Sequence, residues 1–158
     1  MRSPDVEALA LPAGQVLISE DFIDRHTPTD ETLALVLAHE MAHSVLEHER
    51  KALTFARLLL PRQVPRTVRD MYVEMDFNLG LLRAMEPVLQ QGEFEADELG
   101  LLMASAAGFA PAAQLHFLIR EASLPPGPTP VVATHPNAAH RLDQMRLRLP
   151  LAQRLWSR

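Results

Sequence analysis

The stretch LVLAHEMAHSVLEHE, Leu35 to Glu49, constrains this chain more than any other. Its Leu, Val and Ala residues suit a buried helix, yet it carries three histidines and three glutamates. Burying a charge is costly unless the group is paired or holds a metal. His39 and His43 are four residues apart, about 40° around a helix, so both rings leave one face a turn apart. Two nitrogens so placed can share one tetrahedral Zn2+ at about 2.0–2.1 Å each. Glu40 lies beside them, too far around to join as a ligand but within reach of a water at the metal's open position. This is the H-E-x-x-H arrangement, two zinc ligands plus a general base.

A catalytic zinc site keeps three protein ligands, so a third is required. His48, in EHER, reads as a surface histidine at the solvated end of the same helix. The later segment GEFEADELG offers Glu93, Glu95, Asp97 and Glu98. Glu93 and Asp97 share a helix face, whereas Glu95 lies about 200° from Glu93. Ala96, Gly100 and Ala104 continue the Glu93 face and are all small, as are Ala38 and Ala42 on the first helix. Helices meeting through such residues can approach closely, and a mid-helix glycine, which costs about 1 kcal/mol relative to alanine, points the same way. Glu93 is therefore the expected third ligand, with Asp97 as the acceptor that orients a histidine ring. Glu95 and Glu98 read as an acidic first turn favoured by the helix dipole.

The rest of the chain reads as mostly helical. Gln15 to Ile18 is a short strand candidate after a Pro-Ala-Gly turn. Thr27 suits a helix N-cap and Pro28 the first helical position, with the helix running to about Arg50. Residues 52–91 read as helical pieces broken by Pro61, Pro65 and Pro87. A helix from about Glu93 to Ala107 stops at Gly108, and Pro111 opens another. A Pro-rich loop, LPPGPTPVVATHP, leads to a last helix from Pro136 to about Leu149, before Pro150. The expected class is α+β, mostly α-helical, with a small sheet or hairpin packed on the active-site helix.

With 158 residues the chain suits one domain, spanning 1–158. A net charge of −5 provides no basic footprint, which argues against a nucleic-acid partner. The absence of cysteine excludes disulfides and thiolate metal sites. No stretch approaches the roughly 18–20 apolar residues of a membrane span.

HEMAH followed by EFEAD resembles the HtpX-like and prenyl-protein (CAAX) endopeptidase family of zinc metallopeptidases, which includes mitochondrial inner-membrane stress peptidases and bacterial periplasmic relatives. ALALPAGQVLIS is similar to the family's A-L-P-G-G strand entry, with Ala13 at its second glycine and Glu7 where asparagine is common. THPNAAHRL is similar to its H-P-x-x-x-x-R motif. The resemblance covers about residues 7–145 and implies a glutamate-zincin core, here as a trimmed or minimal catalytic domain. It also implies that His135 and Arg141 stabilise the tetrahedral transition state. An edge strand would hold extended substrate, which assigns Val16, Leu17, Ile18 and Ser19 to substrate binding by strand addition.

The resulting expectation is a zinc endopeptidase, one Zn2+ per chain, acting on unfolded or extended protein in membrane or envelope quality control. The parent protein would be periplasmic or membrane-associated. The alternatives are a latent or non-catalytic zinc-stabilised interaction module, with residues 52–91 or the Pro-rich loop across the cleft, and a zinc peptidase of another H-E-x-x-H lineage.

Overall fold

The computed structural model describes residues 8–11, 14–61, 66–123 and 135–158. Glu7, Ala13, Pro65 and the Pro-rich loop before His135 lie outside the described residues. A two-stranded antiparallel hairpin, β1 (Ala8–Leu11) and β2 (Gln15–Ile18), pairs Ala10 with Val16 across a turn at Gly14. Eight helices follow among the described residues: α1 (Glu20–His26), α2 (Asp30–Val45), α3 (His48–Leu59), α4 (Val68–Phe77), α5 (Leu79–Ala106), α6 (Pro111–Gln114), α7 (His116–Ser123) and α8 (Ala138–Trp156). None is long and apolar enough to cross a membrane.

Local chemistry moved several boundaries away from the sequence reading. Thr27 caps the end of α1 in a left-handed conformation, φ 42°, and Thr29 takes the N-cap of α2, its hydroxyl accepting from the Thr32 amide. Helix α2 stops at Val45 instead of Arg50, because Glu47 adopts φ 56° and a new helix begins at His48. Asn137 takes the N-cap of α8 and receives the His140 amide, so Pro136 stands outside the helix.

Two prolines expected as breaks lie inside helices. Pro87 is within α5 and Pro150 within α8. An interior proline costs about 3 kcal/mol and removes one backbone bond. Burial on both sides outweighs that cost. Before Pro87, Leu81 and Met85 join a core with Ala52, Ala56, Leu60 and Met71 of the α3–α4 region. After it, Leu101 joins a second core with Leu35, Leu115, Leu118, Leu142, Met145 and Ala152. Beyond Pro150, Ala152 is fully buried and the Trp156 indole donates to the Gly108 carbonyl at 3.0 Å. Helix α5 therefore spans both cores and carries the acidic residues at its centre.

The α2–α5 seam is made of small residues. Ala38, Ala42, Ala96 and Ala104 are buried there. At Gly100 an added Cβ would stand 2.8 Å from the His39 backbone nitrogen and 3.0 Å from its Cα. Only glycine permits this approach, and the approach brings the α5 carboxylates to the α2 histidines.

Candidate metal centre

Helix α2 presents His39 and His43 toward α5, and α5 presents Glu93 back. His39 Nε2 and His43 Nε2 are 3.1 Å apart. Glu93 Oε2 lies 3.5 Å from His39 Nε2, and Glu93 Oε1 lies 3.4 Å from His43 Nε2. Ligands at about 2.05 Å from a tetrahedral ion stand about 3.3 Å from one another. The three donors match that spacing, and their chemistry suits zinc.

Asp97 is 2% exposed, and its Oδ1 accepts from His39 Nδ1 at 3.0 Å. Arg141 of α8 grips the same carboxylate, Nε to Oδ2 at 2.7 Å and a terminal nitrogen to Oδ1 at 2.6 Å. Asp97 thus ties the α2 histidine to α8. Burial would raise its pKa, but hydrogen bonds from Arg141 and His39 hold it below the usual value. The Arg141 guanidinium, expected to stabilise the transition state, is in this geometry engaged by Asp97 and braces α8 against α5.

The electrostatics favour one positive charge between the ligands. Burial works to lower the His39 pKa, but hydrogen bonds to Asp97 and Glu93 outweigh it and push the value up to about 9. His43 moves the other way, down to about 4, through burial and the neighbouring His39 charge. Burial would raise Glu93, yet hydrogen bonds from His135 and His39 hold it well below the ordinary carboxylate range. Without a metal, a His39 ring protonated on both nitrogens answers Asp97 and Glu93; a divalent cation would satisfy all three groups.

Glu40 lies on the cleft side of α2. Burial raises its pKa, partly offset by the His39 charge and by the Ala10 amide, which donates to its carboxylate. His135, at the entrance to α8, places Nδ1 3.0 Å from Glu93 Oε2, and that contact raises its pKa. All seven of these side chains except His135 and Arg141 come from α2 and α5, and all line one cleft of about 1580 Å³.

The strand beside the cleft is β1. Ala8, Leu9, Ala10 and Leu11 line it, and the Ala10 amide points to Glu40. Val16, Leu17 and Ile18 sit on β2, on the far side of β1, and Ser19 is buried as the α1 N-cap, accepting from the Phe22 amide. Val16, Leu17, Ile18 and Ser19, the residues expected at the substrate edge, thus do not line the cleft, which β1 borders instead.

Two residues set aside in the sequence reading belong to the site's surroundings. His48 Nδ1 lies 2.9 Å from His43 Nδ1, and His48 Nε2 lies 3.2 Å from Glu95 Oε2. The His48 side chain is only 10% exposed. Glu95 is not in a first turn, since α5 starts at Leu79. The break at Glu47 that creates these contacts has no glycine or proline to announce it.

A helix bearing two histidines around a glutamate, completed by a glutamate from a second helix, defines a glutamate-zincin architecture. The profile of Peptidase family M48 matches residues 1–149. The chain belongs to that family. It is 31% identical to the mitochondrial metalloendopeptidase OMA1 of Schizosaccharomyces pombe over 97% of this chain and 46% of that protein. It is 31% identical to the Arabidopsis thaliana protein of the same name over 70% of this chain and 22% of the relative. The beta-barrel assembly-enhancing protease of Escherichia coli is 26% identical over 92% of this chain and 34% of its own length. The chain thus spans less than half the length of these relatives. No solved structure gives a significant match.

Proposed function

We propose that this chain is the catalytic domain of a zinc metalloendopeptidase that hydrolyses peptide bonds in extended or unfolded protein. The observation that carries the reading is the tetrahedral-edge spacing of His39, His43 and Glu93 beside a half-buried Glu40. The relatives named as endopeptidases support it.

His39, His43 and Glu93 would hold the zinc. When bound, zinc acts as a Lewis acid that lowers the pKa of a coordinated water to about 7 and polarises a carbonyl. Glu40, its pKa raised by burial, accepts the proton of the attacking water at its carboxylate and returns it to the leaving amine. The β1 edge, which lines the cleft, pairs with an extended substrate main chain. Recognition through main chain selects conformation over side-chain identity, which suits unfolded substrates and a quality-control role. His135, at the rim beside Glu93, is positioned to donate toward an oxyanion. Arg141 acts through Asp97, holding His39 in one ring orientation.

The deciding experiment follows cleavage of an unfolded protein by the purified chain, alongside metal content. Wild type should cleave, a chelator should stop it, and added zinc should restore it. Glu40→Gln should retain about one zinc yet lose about 10²–10⁴-fold in turnover. Wild-type-like cleavage by Glu40→Gln would refute the assignment.

A further inference from the structure

His43 needs a partner on its second nitrogen. Metal ligation through Nε2 demands a lone pair there, which in a neutral imidazole leaves the proton on Nδ1. His39 solves this with Asp97. The nitrogen facing His43 Nδ1 belongs to His48, at 2.9 Å.

That contact admits one proton arrangement. With the proton on His43 Nδ1, His48 Nδ1 must accept. A neutral His48 then carries its own proton on Nε2, which faces Glu95 Oε2 at 3.2 Å. The two hydrogen bonds run in one direction, His43 to His48 to Glu95, and end on a carboxylate. Glu95 is itself held: Gln91 donates to its other oxygen at 3.0 Å, and Lys51 stands 3.9 Å away.

The backbone is bent to make this possible. Residues five apart on an uninterrupted helix are about 140° apart in azimuth, so His48 would face away from His43. Instead Glu47 takes φ 56°, a conformation that costs a non-glycine residue about 1–3 kcal/mol. The chain turns back and the His48 ring packs against His43, centroids 4.8 Å apart. Across from it stands Gly92, where an added Cβ would make ordinary contact with the ring at 3.5 Å.

We propose that His48, backed by Glu95, is a positioning residue that fixes the tautomer and ring plane of His43 for metal binding. It is the counterpart on His43 of Asp97 on His39, with a histidine bridging to the carboxylate. The proposal rests on His39, His43 and Glu93 being the ligands, and the test keeps the two apart.

Zinc affinity is measured by competition with a chromophoric chelator, with the cobalt(II) absorption spectrum as a reporter of ligand geometry and melting curves of the metal-free chain as a control. His48→Ala should weaken zinc by about 10–100-fold and alter the cobalt bands, with the metal-free melting temperature near wild type. His48→Gln, whose amide oxygen can accept from His43 Nδ1, should recover most of the affinity. Glu95→Ala should lose less than His48→Ala. If His48→Ala binds zinc within twofold of wild type while Glu93→Ala loses it, the positioning role is wrong and the ligand set stands. Equal losses in His48→Ala and His48→Gln, with depressed metal-free melting, would assign His48 to packing and overturn the proposal. If Glu93→Ala and His43→Ala both bind like wild type, the ligand assignment itself falls, and the proposal with it.

Discussion

Gly100→Ala tests whether the small-residue seam sets the geometry of the metal centre. The added Cβ would lie 2.8 Å from His39 N, 3.0 Å from His39 Cα and 3.1 Å from the Ala38 carbonyl carbon. All three are α2 backbone atoms, so no rotamer change can relieve the contact. Reaching the 3.4 Å edge of ordinary contact requires the helices to part by about 0.6 Å locally. Overpacking of this kind costs about 1–3 kcal/mol, against which alanine recovers about 1 kcal/mol of helix propensity. The seam residues Ala38, Ala42, Ala96 and Ala104 also lose packing as the helices separate. A net loss of about 2 kcal/mol follows, which in a chain of this size lowers the melting temperature by about 4–8 °C. Because the strain falls on His39 itself, zinc affinity should drop by about tenfold, about 1.4 kcal/mol. Gly80→Ala is the control. Its Cβ meets only Asn78 Oδ1 at 3.5 Å, so it should be neutral or stabilising by up to about 1 kcal/mol. Thermal melts of the metal-free chains and chelator competition read both quantities. A Gly100→Ala protein that melts at or above wild type with unchanged zinc affinity would refute the seam argument.

Asp97→Ala leaves the Arg141 guanidinium without its partner and frees the His39 ring; it should destabilise by about 3 kcal/mol and weaken zinc by about 10–100-fold, as denaturant titration and chelator competition would show. Glu93→Ala should nearly abolish zinc binding, read as metal content after gel filtration. His135→Ala, at an exposed position, should leave zinc content and melting temperature close to wild type while lowering kcat about 10²–10³-fold, the usual effect of removing one oxyanion donor; a quenched-peptide assay would show it. Zinc should raise the melting temperature of the metal-free chain in a concentration-dependent way, with about 2.7 kcal/mol gained at a hundredfold excess over Kd.

What was legible in the sequence was the part governed by spacing along one helix. His39 and His43 share a face because four residues nearly complete a turn, and Glu93 with Asp97 does the same. The small residues at Ala96, Gly100 and Ala104 told which face of α5 would come closest to α2, and that is the face carrying Glu93. The features that escaped depend on competition between local and distant forces. Pro87 and Pro150 are helix breakers locally, but apolar side chains are buried on both sides of each, in two separate cores around Pro87 and in one core around Pro150, and the summed burial exceeds the loss of one hydrogen bond. Nothing in Leu46-Glu47-His48 announces a left-handed residue, since glutamate disfavours it. Only the reward on its far side accounts for it, with Ala52 and Ala56 entering the α3–α4 core while His48 enters the site.

The position of β1 beside the cleft depends on tertiary contact and not on the strand sequences. Both strands are four-residue runs of similar hydropathy, and a hairpin read alone does not say which edge is covered. The α2 helix breaks that symmetry, because Glu40 takes the Ala10 amide and commits β1 to the cleft. The general base and the proposed substrate edge are therefore joined by a hydrogen bond. A substrate strand laid along β1 would be registered against Glu40 by the backbone itself, and a substitution that shifted the hairpin by one residue would turn every alternate amide away from the cleft. Extended substrates would then lose their register to the base before they lost their affinity for the strand.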